Sequence, residues 1–211
     1  MIEDPWFRIL VKDMAEVHGC HTVILYGSRS RGDWVEESDV DVLAIREHGV
    51  KIRDVRTLEG RLLDAFIVPE TEVSGAPTEL LRIGGGVVLL ERDGFGTRLL
   101  QEMERLARQG PAPIPGDERT ALRVWIEKML NRVSRDDVEA RYREVWLKFE
   151  LLELYFRFRG LWYRGPKEAF AWLAERDPET LAEFQEVLCG RGGLEALRSL
   201  ARKVVLQFPT D

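Results

Sequence analysis

Leu25-Tyr26-Gly27-Ser28-Arg29-Ser30-Arg31-Gly32, with ten residues between Ser28 and the triplet Asp39-Val40-Asp41, is the stretch on which the fold turns. Val23, Ile24 and Leu25 on one side, and Val40, Val42, Leu43, Ala44 and Ile45 on the other, read as two short buried strands. Gly27-Ser28 ends the first of them. Ser30 and Arg31 then begin a turn or short helix, whose unpaired backbone N–H groups suit phosphate oxygens. Residues two apart on a strand share a face, so Asp39 and Asp41 point the same way. Carboxylates held together repel one another, and a hard cation such as Mg²⁺ relieves the repulsion. The pattern implies metal-assisted chemistry on a nucleoside triphosphate.

Read singly, these pieces are ambiguous. Ser38-Asp39 by itself suits the solvated start of a strand or a helix cap. Asp41, however, lies inside a run of Val, Leu, Ala and Ile. A lone ion there costs several kcal/mol, of order 1–5, unless a cation or hydrogen-bond donors satisfy it.

Gly-Ser, Arg-Gly and Asp-x-Asp in this order resemble the nucleotidyltransferases of the DNA polymerase beta superfamily. The wording of Gly27 to Asp41 is similar, more narrowly, to the minimal bacterial nucleotidyltransferases. The resemblance is close over residues 20 to 95 and architectural beyond. It implies an α+β protein: a mixed sheet flanked by helices, followed by a C-terminal α-helical bundle. It also implies a third carboxylate on a neighbouring strand, for which Asp64 in Leu62-Leu63-Asp64-Ala65-Phe66-Ile67-Val68 fits. The alternative for Asp64 is a carboxylate facing water at a strand end. On the family's pattern Gly27 and Ser28 hold the β- and γ-phosphates. Asp39 and Asp41 bind Mg²⁺, and Asp64 shares a second Mg²⁺ with them. Arg29 and Arg31 steady phosphates, Arg31 being the better motif match. ATP is the expected co-substrate by resemblance, with another nucleoside triphosphate as the alternative.

Composition sets outer limits. With 211 residues, 45% hydrophobic and 32% charged, the chain suits one large or two modest globular domains. No run nears the roughly 20 apolar residues that span a bilayer, and Met1-Ile2-Glu3-Asp4-Pro5 lacks the character of a secretory signal. Cys20 and Cys189 lie far apart and suggest free thiols in a reducing cytoplasm. All three His residues precede position 50, which disfavours a histidine-based zinc site. The formal net charge of −6 disfavours nucleic acid as a partner. A small-molecule hydroxyl acceptor is favoured, with a protein acceptor as the alternative.

Gln109-Gly110-Pro111-Ala112-Pro113-Ile114-Pro115-Gly116 divides the chain, because three prolines and two glycines in eight residues stop both helix and strand. The expected organisation is a catalytic domain over 1–110, a linker over 111–116 and a helical bundle over 117–211. The first part reads as a helix near 5–17, strands at 22–26, 39–45, 61–68 and 80–91, and a helix near 97–108. Gly84-Gly85-Gly86 interrupts the last strand and reads as a bulge or a close approach of another segment. Helices are expected at 118–133, 136–159, 166–176, 178–188 and 193–207.

The longest helix is apolar on nearly every side. Tyr142, Trp146, Phe149 and Phe156 form one stripe, and Leu147, Leu151, Leu154 and Phe158 another, so it is expected to be buried between neighbours or subunits. The aromatic richness of this half leaves a homodimer open. Glu153 falls inside the first stripe, where it is either a general base or an ion-pair partner of Arg157 or of an Arg on another helix. A helical-domain glutamate acts as base in antibiotic nucleotidyltransferases, which the chain resembles in its order of domains, but no motif aligns Glu153 with it. Lys167 reads as a solvated first-turn lysine or a triphosphate contact.

Together the resemblance and the residues imply Mg²⁺-dependent transfer of a nucleoside monophosphate, AMP by default, to a hydroxyl with release of pyrophosphate. Two alternatives stand: an antitoxin-type enzyme that modifies a protein tyrosine, and a non-catalytic nucleotide-binding module. The ribonuclease toxins partnered with such antitoxins carry Arg-x-x-x-x-His, and no His follows His48 here.

Overall fold

The computed structural model describes residues 4–75, 77–135 and 137–206. Met1-Ile2-Glu3, Asp136 and Gln207, on which the expected chain start and two helix limits bear, lie outside the described residues. The chain forms two compact units, Met1–Gln109 and Gly110–Asp211.

In the first unit α1 (Pro5–Glu16) starts where the Asp4 carboxylate accepts from the Trp6 N–H and Pro5 occupies a first-turn position that needs no donor. It buries Trp6, Phe7, Leu10 and Met14. After it come β1 (Thr22–Tyr26), α2 (Gly27–Arg31), β2 (Val40–Arg46), β3 (Ile52–Leu58), β4 (Arg61–Pro69) and α3 (Glu70–Val73). A 3-10 helix (Thr78–Ile83), β5 (Val87–Leu90) and α4 (Phe95–Gln109) complete the unit.

The strands form one sheet in the order β3-β4-β2-β1-β5. β2 and β4 run parallel and every other neighbouring pair antiparallel, so the sheet is mixed. Side chains alternate between its faces. Val23, Leu25, Val42, Ala44, Ala65 and Ile67 pack against α1 on one face. Ile24, Leu43, Ile45 and Val68 pack with Ile83, Leu99 and Met103 on the other.

Two segments depart from the sequence reading. β3 was not expected: it is an edge strand of alternating exposed and half-buried residues, rich in Arg and Asp, with no apolar run to announce it. Residues expected to open the last strand instead form the 3-10 helix, which buries Leu80, Leu81 and Ile83. The glycine-rich break has the anticipated cause. A Cβ on Gly86 would lie 2.7 Å from the Ile83 carbonyl oxygen and 2.9 Å from that of Leu25.

The second unit is helical: α5 (Gly116–Val133), α6 (Val138–Phe158), α7 (Pro166–Arg176), α8 (Pro178–Leu188) and α9 (Gly193–Leu206). Asp177 ties α7 to α8. Its carboxylate accepts from the Thr180 N–H and hydroxyl and from the Tyr155 hydroxyl at 2.6 Å. On α6, Leu147, Leu151, Leu154, Phe156 and Phe158 are buried in the core. Of the aromatic stripe only Phe156 is buried; Tyr142 is 70% and Phe149 68% exposed, so neighbours in this chain cover α6 on one side rather than all round. Among the described residues no helix is long and apolar enough to cross a membrane.

Candidate active site

The sheet register gathers the acidic residues. Tyr26 at the end of β1 pairs with Asp41 on β2, and Asp41 pairs with Asp64 on β4. Directly paired residues project to the same face, so Tyr26, Asp41 and Asp64 form a row across three strands. Asp39, two residues before Asp41, joins it at the head of β2. Carboxylate oxygens of Asp39, Asp41 and Asp64 all lie within 4.8 Å of one another.

Gly27 makes room for this row. Its φ is +73°, in the left-handed region, and a Cβ there would collide with an Asp41 carboxylate oxygen. Both backbone angle and space therefore demand glycine at the mouth of α2. The next turn is closed by the Ser30 hydroxyl, which donates to the Gly27 carbonyl at 2.9 Å. Ser28 makes no side-chain hydrogen bond among the described residues.

Charge is unevenly compensated. Burial, then the neighbouring charges of Asp39 and Asp64, push the Asp41 carboxyl up to about 6, with Arg82 and Arg31 opposing. Asp64 moves the other way: its hydrogen bonds with Arg53 hold it below the usual carboxylate range. Arg53 Nε donates to Asp64 Oδ1 at 3.0 Å and Nη2 to Oδ2 at 2.6 Å. Asp39 and Asp41 have no ion-pair partner among the described residues. A second acidic group, Asp13, His18 and Asp54, is different: Arg56 donates to both carboxylates and supplies the cation itself.

The arginines expected at phosphates take distinct places. Arg29 donates to the Ser38 carbonyl through Nη2 at 2.7 Å and to the Asp39 carbonyl through Nε at 3.1 Å, with Trp34 against its guanidinium. These contacts make it a brace for the loop 33–39 that delivers Asp39, a task the motif did not disclose. Arg31 lies near Asp33, 3.4 Å away, and its charge is felt at Asp41. Glu153 and Lys167 belong to the second unit and the three carboxylates to the first. Glu153 is half-buried on α6, but Arg157 pairs with Glu118 at 2.7 Å rather than with it. Lys167 stands in the first turn of α7. Arg53 and Arg82 were missed by sequence reasoning: one sits on the unannounced edge strand, the other on a segment read as strand.

Three carboxylates at this spacing suit divalent cations. Two oxygens on one Mg²⁺ sit about 3–4 Å apart, and such an ion would offset both the burial and the like charge that raise Asp41. Asp39, Asp41 and Asp64 form a group that could hold one. Acidic sites of this kind are used by enzymes that act on phosphate esters with divalent metals. The chain belongs to the nucleotidyltransferase domain family, which matches residues 8–151, and it is a nucleotidyltransferase. Such enzymes use a nucleoside triphosphate and divalent metal ions. Among solved structures it is similar to a nucleotidyltransferase-like protein from Exiguobacterium sibiricum 255-15. The two share 17% identity over 95% of this chain and 72% of the other, at a TM-score of 0.46. No curated protein matches the chain.

Proposed function

We propose that this enzyme transfers a nucleoside monophosphate, AMP from ATP in the first instance, to a hydroxyl of a small molecule and releases pyrophosphate. The observation that carries the reading is the convergence of three carboxylates, two without a cationic partner among the described residues, next to Gly27. Asp39, Asp41 and Asp64 would hold two Mg²⁺, which when bound supply a more acidic acceptor hydroxyl and offset charge on the leaving pyrophosphate. Gly27 and Ser28 present backbone N–H groups and a free hydroxyl to the β- and γ-phosphates. Arg31 adds positive charge on the same side, and Arg29 keeps Asp39 in position by holding its carbonyl. Arg53 orients Asp64 through both oxygens. A small acceptor accords with a net charge of −6, which gives a polynucleotide little to bind.

The test is to incubate the protein with labelled ATP and Mg²⁺ against a panel of hydroxyl-bearing small molecules and against cell lysate. Label on a small molecule with stoichiometric pyrophosphate supports the reading, whereas label on protein alone replaces the acceptor class. Asp41→Asn should abolish transfer while the far-UV spectrum is unchanged. Near-normal turnover by a pure Asp41→Asn preparation would remove the metal role of this residue.

A further inference from the structure

Arg82 lies on the 3-10 helix, outside every motif that pointed to the site. Its guanidinium carbon sits 4.3 Å from the ring centre of Phe66 and 5.8 Å from that of Tyr26. These rings flank β2: Tyr26 pairs with Asp41, and Phe66 pairs with Leu43, one same-face step from Asp64. The side chain thus spans the sheet face beside the carboxylates, and Tyr26, Asp41 and Asp64 all feel its charge.

The neighbouring cations are occupied. Arg29 is committed to two loop carbonyls, and Arg53 to both oxygens of Asp64. Arg82 is exposed and has no hydrogen bond or ion pair among the described residues. If it served to neutralise Asp41 or Asp64 it would bond to them, as Arg53 does. Its guanidinium carbon lies over two aromatic rings instead, and contact with aromatic faces leaves its N–H groups for a further partner. That edge suits the oxygens of a phosphate, which it meets two at a time.

We propose that Arg82 binds a phosphate group of the nucleotide at the carboxylate site, with Phe66 and Tyr26 setting the plane of its fork. This deepens the nucleotidyl-transfer reading and rests on it. The two possible sources are the α-phosphate that is transferred and the pyrophosphate that leaves.

The experiment measures binding by calorimetry for wild type, Arg82→Met and Arg82→Lys, with Mg–ATP, Mg–AMP, Mg–pyrophosphate and Mg²⁺ alone. Methionine keeps the apolar contact with both rings and removes the charge, and Arg82→Gln is a second neutral variant. Arg82→Met should weaken Mg–ATP by about tenfold to a hundredfold, with partial recovery in Arg82→Lys. Mg²⁺ alone should bind as in wild type or more tightly, since a nearby positive charge has gone. Weakening shared by AMP places Arg82 at the α-phosphate, and weakening confined to ATP and pyrophosphate places it at the leaving group; either supports the proposal. Unchanged affinity for all three phosphate ligands, or a parallel loss of Mg²⁺ affinity from a structural defect, overturns it while the nucleotidyl-transfer reading stands. Folded wild type that binds none of the three overturns both.

Discussion

At Asp41, burial and two adjacent carboxylates act in the same direction and push the pKa up to about 6 from an ordinary 3.8. The folded state therefore holds this proton more tightly than the unfolded chain does. That contribution to stability is complete below pH 3.8 and is lost as pH rises through about 6. In metal-free protein above that range the ionised Asp41 costs about 1–3 kcal/mol. Asp41→Asn should accordingly raise urea stability by about that much at pH 7.5 in a chelator, with the gain shrinking as pH falls through about 6 and vanishing below 3.8. Urea titrations at pH 4.5, 6 and 7.5 check it, and a gain independent of pH would refute the electrostatic account. The motif placed Asp41 in an apolar run. Asp39 beside it was legible too, whereas the opposing charge of Arg82 came only with the structure.

At the scale of elements, α2 and the tie between α7 and α8 are the points most sensitive to one change. Gly27→Ala puts a β-carbon against the Asp41 carboxylate at a φ of +73°. It should cost about 1–3 kcal/mol and remove transfer, seen as a lower urea midpoint together with lost label incorporation. Asp177→Ala removes the N-cap of α8 and strips the buried Thr180 and Tyr155 hydroxyls of their acceptor. The expected loss is about 2–4 kcal/mol, measured by urea unfolding, and a loss below 1 kcal/mol would show that other groups take over the cap. Most helices and apolar strands were legible, because 3.6- and 2-residue periodicities survive in the chain. β3 was not legible. Its charged residues give no apolar signal, and pairings such as Arg53 with Asp64 hold it in place.

At the scale of the whole chain, all three carboxylates and the two residues proposed to meet phosphates, Gly27 and Ser28, lie in Met1–Gln109. The family match continues past that unit into α5 and α6, ending at residue 151. Residues 1–115 expressed alone should fold cooperatively and keep the Asp41 carboxyl near 6, because the charged groups that act on it, Asp39, Asp64, Arg82 and Arg31, all lie in this unit. Carboxyl NMR titration of the fragment measures it, and a return to an ordinary aspartate value would show that the site needs the second unit.

The sequence by itself determined the two-part α+β organisation, the glycine bend and the Asp39–Asp41 pair, since each is written in neighbouring residues. Tertiary structure decided how the carboxylates meet and which cations attend them. The parallel register of β2 and β4 sets Asp64 beside Asp41, and the edge strand and 3-10 helix bring in Arg53 and Arg82. Each strand's apolar alternation fixes which face it buries, but which residue of β4 stands opposite Asp41 is settled only when two segments far apart in the chain pack together.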